Sequence, residues 1–130
     1  MKTYTDIKTF ADACKVERLD EKTIIASFKS LPVKDRKPLI AHAKLVIIAR
    51  AANRLANGGK KWTPDWNDGQ WNKWYPWFDL SGGARGFRYD VCGGWFSGSA
   101  ASARLCFLSR EVGEYVAKQF IDLFREYFVM

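Results

Sequence analysis

Histidine occurs once in this chain, at His42, and cysteine three times, at Cys14, Cys92 and Cys106. An odd number of cysteines without a CxxC spacing argues against a disulfide framework, and a single histidine argues against a zinc site. Reduced thiols in a cytosol are expected. Long apolar runs are also missing. The longest, residues 45–49, falls far short of the ~20 residues needed to cross a bilayer, and no apolar leader-like segment follows Lys2. A soluble, unprocessed protein with no membrane association is therefore expected. The chain has no P-loop, dinucleotide fingerprint, nucleophile elbow, HExxH or deaminase signature. A Cys-His arrangement using Cys92 or Cys106 would have only His42 to draw on. No catalytic residue, metal ligand or cofactor is assigned, and the expectation is a protein that is not an enzyme.

The 130 residues suit one domain, 1–130, which buries roughly two-thirds of its unfolded surface. Hydrophobic and charged fractions of 48% and 27% are ordinary, whereas an aromatic fraction of 15% is high. Five of the six tryptophans fall within residues 62–77, among Pro, Gly, Asn and Asp, in a stretch too irregular for a helix. Such a segment is either a packing plug or a binding surface. The net charge of +7 is uneven, since residues 1–57 hold twelve Lys/Arg against six Asp/Glu. That excess permits attraction to polyanions, although it also serves solubility.

The N-terminal half reads as helical. Thr5 or Asp6 can cap a short helix whose Ile7, Phe10, Ala11 and Cys14 share one face, and a second segment opens at Asp20 and stops by Pro32. Residues 40–56 form the central helix, with Pro38 in its first turn and Gly58-Gly59 as its stop. At 100° per residue, His42, Arg50, Asn53, Arg54 and Asn57 share a sector about 120° wide. This sector is either the solvated strip of a buried helix or a row of donors, with Arg50 and Arg54 one turn apart, facing a ligand. Residues 87–91 alternate as a half-buried strand between turns at 81–86 and 92–94, and residues 77–80, 95–96 and 104–108 can add short strands in a small antiparallel meander. Ser109 caps a closing helix over 111–128. Helices, then strands, then a helix give an α+β class: N-terminal helices, an aromatic loop, a small antiparallel sheet and a C-terminal helix.

Flat rings at Trp66, Trp71 and Trp74 beside Lys60, Lys61, Lys73, Arg85 and Arg88 match the chemistry of single-strand binders, in which bases stack on aromatics and cations follow the backbone. Gly82-Gly83-Ala84-Arg85-Gly86 adds a glycine-rich turn beside a guanidinium that can cradle a phosphate, although such loops mostly just turn. Asp65 and Asp68, the acidic groups of the aromatic segment, sit in contexts that build turns more readily than metal sites. The candidate ligand residues are therefore Trp66, Trp71, Lys73, Trp74, Arg85, Arg88, Arg50 and Arg54.

The pieces Trp62-Thr63-Pro64-Asp65-Trp66, Tyr75-Pro76-Trp77-Phe78 and Arg104-Leu105-Cys106-Phe107, with Ala41-His42-Ala43-Lys44-Leu45 and Gln119-Phe120-Ile121-Asp122-Leu123-Phe124, carry a family likeness over most of the chain. The chain resembles uncharacterised small proteins encoded by bacteriophages and prophages of Bacteroidetes. It departs mildly in having Trp74 where the family usually carries a tyrosine, and Ser102-Ala103 where a Gly-Ser is common. The resemblance implies an origin and a setting, the host bacterial cytoplasm, and supplies no functional residue. In that setting nucleic acid is the commonest polyanion and small nucleotide signals are another ligand. The expectation is a non-enzymatic protein that binds single-stranded nucleic acid. The alternatives are a nucleotide-sequestering protein and a structural or virion component with a homo-oligomeric or other protein partner.

Overall fold

Thr9, not Thr5 or Asp6, starts the first α-helix. The computed structural model describes residues 1–69, 73–95 and 103–130. Thr9 and Asp12 have the spacing of a reciprocal capping box: the Asp12 N–H donates to Thr9 Oγ1 (3.2 Å) and the Thr9 N–H to Asp12 Oδ2 (3.0 Å). Thr5 and Asp6 belong to a preceding 3-10 turn, Tyr4–Asp6. Helix α1, Phe10–Glu17, buries Phe10, Ala13 and Cys14 and ends where Arg18 turns left-handed at φ 57°. Asp20 caps α2, Glu21–Ala26, through the Thr23 N–H (3.0 Å). This helix stops well before Pro32, because Ser27 Oγ donates to the Ile24 carbonyl (2.6 Å) and the following bonds are single turns.

Helix α3, Val33–Ala56, begins earlier than Pro38 suggests and contains that proline. Pro38 has no N–H to give the Lys34 carbonyl, and Lys34 is exposed, so water can take the vacated acceptor. The helix stops at Asn57-Gly58-Gly59, where both glycines have positive φ and the Gly59 N–H returns to the Arg54 carbonyl (2.9 Å). Leu45, Ile48, Ala51 and Ala52 of α3 are fully buried against α1, the Tyr4–Asp6 turn and the C-terminal helices. It is the central helix that the apolar pattern predicts.

Strands β1, Lys73–Asp79, and β2, Arg88–Trp95, pair antiparallel from Lys73 opposite Trp95 to Asp79 opposite Arg88, with an irregularity between Trp77 and Phe78. A short helix α4, Gly83–Gly86, lies in their connection. The turn expected at 92–94 is instead strand, and glycine there has a packing reason: a Cβ on Gly93 would come within 2.9 Å of Trp77 Nε1. The sheet has two strands, and the strand expected at 104–108 contracts to a 3-10 turn, Ala103–Leu105, and one bridge. In that bridge the Trp74 N–H donates to the Phe107 carbonyl (3.1 Å) and the Phe107 N–H to the Trp74 carbonyl (2.9 Å). Phe96 and most of the small-residue run 97–103 lie outside the described residues.

Ser109 caps the next helix as expected, accepting the Val112 N–H (3.3 Å). The single closing helix read from the sequence is two: α5, Arg110–Gln119, and α6, Ile121–Phe128, broken at Phe120 (φ −114°, ψ 31°). The break lets α5 pack on both the hairpin and α3 while α6 turns onto α3. Phe78 joins the two layers, with ring centroids 5.0 Å from Phe87 and 4.5 Å from Phe124. Helices with a small antiparallel sheet make the fold α+β.

Gly113 marks the closest approach of α5 to the hairpin. A Cβ there would lie 2.7 Å from Cys92 Sγ and 3.3 Å from the Phe107 ring. Alanine would gain about 1 kcal/mol of helix propensity, but overpacking costs about 1–3 kcal/mol. Gly113→Ala should therefore lower stability in urea denaturation, and adding Cys92→Ala should recover most of the loss. A stabilised single variant would show that the contact relaxes freely.

Candidate ligand groove

The C-terminal half of α3 supplies one wall of a groove of about 380 Å³, through Val46, Arg50 and Asn53. The chain leaving α3 supplies the second. Asn57 Nδ2 donates to the Lys60 and Lys61 carbonyls (3.3 Å each) and turns the segment back. Asp65 Oδ1 accepts the Asn67 N–H (3.0 Å), the turn-building role expected of it, and the Asp68 N–H returns to the Asp65 carbonyl (3.3 Å). Lys61, Trp62, Thr63 and Trp66 thereby face the groove, and Arg104 and Cys106 close it from the third side. The volume is in the range of clefts that take small ligands, roughly 300–1,000 Å³. Among the described residues, two half-buried indoles and three cations line it, and none of the lining residues is a carboxylate.

Asn53 joins two of these walls. Its Nδ2 donates to the Cys106 carbonyl (2.9 Å), its Oδ1 accepts the Leu108 N–H (3.1 Å), and the residue is 4% exposed. Phe107, between them, turns its own N–H and C=O to Trp74. The Asn53 amide thus takes the outward-facing backbone groups that another strand would have paired. The polar sector of α3 is neither a bare solvated strip nor a plain row of ligand donors. Glu17 of α1, its side chain 5% exposed, accepts Arg50 Nε (2.7 Å) and Arg54 Nε (2.6 Å). Burial raises the Glu17 pKa, but hydrogen bonds from Arg54 and Arg50 and their charges outweigh it and hold the carboxyl below its ordinary value. His42 lies against Tyr127, ring centroids 4.5 Å apart, and burial lowers its pKa.

Of the residues singled out in the sequence, the structure brings Trp66 and Arg50 to the groove. Arg54 is held by Glu17 and does not line it. Lys73 is fully buried behind Trp66, its Nζ 5.4 Å from that ring's centroid and donating to the Asp68 carbonyl (2.9 Å); it holds the loop rather than facing a ligand. Trp74 packs against the core beneath the Arg110 guanidinium, 4.9 Å away. Arg88 pairs with Asp79 (2.6 Å) at the opposite end of the hairpin, roughly 20 Å from Lys73 by strand rise. Arg85 sits in the same connection, on α4. Trp71 lies outside the described residues. Among the tryptophan side chains described, Trp77 is the most exposed, at 55%, on the outer face of the hairpin. Lys61, one of the cations read beside the rings, lines the groove as well, and Trp62 and Arg104 join it without having been proposed as ligand residues. Trp62 could have been found from its position just past the glycine stop, where the chain must turn back over α3; nothing in the sequence points to Arg104.

Burial pushes the Cys92 and Cys106 thiols up to about 11 and raises Cys14 as well, so all three are protonated at neutral pH. Among the described residues, no group of three or more His, Cys, Asp or Glu gathers to hold a metal, and no helix is long and apolar enough to cross a membrane. Compared with known protein families, with curated proteins and with solved structures, the chain finds no match.

Asn53→Ala strands a buried carbonyl and a partly buried N–H at about 1–3 kcal/mol each. Stability measured by urea denaturation should fall by about 2–4 kcal/mol, and a loss under 1 kcal/mol would show that water replaces the amide. Glu17 has a depressed folded-state pKa, so its contribution is present above its ordinary value of 4.5 and is lost as pH falls through the folded value. The stability difference between wild type and Glu17→Gln should accordingly be large at pH 7 and shrink on acidification; a difference independent of pH would deny the ion pairs their role.

Proposed function

We propose that this protein is a non-enzymatic binder of single-stranded nucleic acid, with one nucleotide seated in the groove between α3 and the Trp62–Trp66 loop. The observation that supports this most is the gathering of two indoles and three cations, Arg50, Lys61 and Arg104, in one cleft with no carboxylate among its described lining residues. A base stacked on an indole gains about 1–3 kcal/mol, while guanidinium and ammonium groups neutralise phosphate. Asn53, although spent on backbone, and Thr63 give the cleft a polar lining. The resemblance to phage and prophage proteins of Bacteroidetes supports a host bacterial cytoplasm as the setting, where such strands are plentiful.

A second reading, a protein that sequesters free nucleotides, is favoured by the size of the cleft, which matches small-ligand sites. The buried, protonated thiols favour binding over cysteine chemistry in either case.

Tryptophan fluorescence should be quenched saturably by a short single-stranded oligonucleotide, and the logarithm of affinity should fall with log salt by ~0.7 per phosphate neutralised. Trp66→Ala should weaken binding about 5- to 150-fold, the equivalent of one lost stack, and Arg85→Ala should leave it unchanged. Binding that resists salt, or that depends on Arg85 and not on Trp66, would overturn the assignment of the groove.

A further inference from the structure

The cations of the groove exceed what an internal nucleotide asks for. Arg50, Lys61 and Arg104 line one cleft of about 380 Å³; Glu17, outside that lining, accepts Arg50 Nε and offsets part of the charge, which leaves the net positive charge of the three above the single negative charge of an internal phosphate. A phosphodiester carries one negative charge, whereas a phosphomonoester carries about 1.5 to 2 at neutral pH.

The walls are also fastened together. Asn53 ties α3 to Cys106 and Leu108, and one turn further on Asn57 ties the end of α3 to Lys60 and Lys61. Of the other cations expected to carry a continuing backbone, Lys73 is buried, Arg88 is held by Asp79 and Arg85 lies at the far end of the hairpin, which leaves Lys60, exposed beside Lys61.

We infer that the groove seats a nucleotide ending in a phosphomonoester, its base against Trp62 or Trp66 and its phosphate among Arg50, Lys61 and Arg104. This rests on the reading of the groove as a nucleotide site and narrows it to a terminal nucleotide, belonging to a strand or free. The terminal phosphate has its second pKa near 6, so the preference for it should fade as the pH is lowered through that value.

The test uses the full chain and fluorescence titration with one short sequence in four forms: 5′-phosphorylated, 3′-phosphorylated, unphosphorylated and circular, with a nucleoside and its 5′-monophosphate alongside. At least one phosphorylated end should bind tenfold or more tighter than the unphosphorylated and circular forms, and Lys61→Ala and Arg104→Ala should each erase most of that ratio while circular dichroism shows both variants folded. Tight binding of the monophosphate with none of the strands would uphold the inference and assign the ligand to the free nucleotide pool. Equal binding of all four strand forms would overturn the inference and leave strand binding standing. No binding by any probe would overturn both.

Discussion

The side-chain amide of Asn53 is the contact on which the arrangement of the second half of the chain depends. A central helix buried around most of its circumference offers no backbone groups to its neighbours, since its own ladder uses them. The segment 106–108 crosses that helix with one N–H and one C=O facing it. Apolar side chains cannot satisfy them, and each left unpaired would cost about 1–3 kcal/mol. One primary amide, with a donor and an acceptor on the same carbon, answers both at 2.9 and 3.1 Å. Phe107 can then give its remaining groups to Trp74, which positions the hairpin, and the adjacent Arg104 reaches the groove wall.

A second constraint shapes the aromatic loop from beneath. Lys73 opens β1 with its side chain fully buried, an expensive placement for an ammonium unless it finds oxygen and a polarisable surface. It finds both in the Asp68 carbonyl and the face of Trp66. The lysine therefore fixes the height and tilt of a ring whose other neighbours line the cleft. One aromatic serves as lid to a buried charge and as a wall to the space outside it.

The helices and the class of the fold were legible because they follow from local chemistry: Asp20 and Ser109 cap where their hydrogen bonds allow, and Gly58-Gly59 ends α3. Errors arose where tertiary contacts override local signals. Pro38 is tolerated inside α3 because the carbonyl it leaves vacant belongs to an exposed residue. The closing helix breaks at Phe120 because α5 answers to the hairpin as well as α3 while α6 turns onto α3, and Gly93, which reads as a turn residue, is kept small by the Trp77 ring. Much of the chemistry of the groove was legible in Trp66, Arg50 and Lys61. Lys73 and Arg88 were misleading, since a cation near aromatics in sequence can be spent on a carbonyl or an aspartate in space. Arg104 arrives from far along the chain through the Asn53 contact, which no spacing announces.

Glu17 divides its two carboxylate oxygens between Arg50 and Arg54, and one of those guanidiniums also borders the groove. The seating of α1 on the body of the protein and the occupancy of the groove consequently draw on a shared cation. Linkage of this kind is reciprocal: whatever free energy an anion at Arg50 adds to or takes from the docking of the first helix, that helix returns to the anion in equal measure. On the proposed reading of the groove, the N-terminal helix is an energetic participant in a site it does not line, and its hold on the protein would report whether the groove is full.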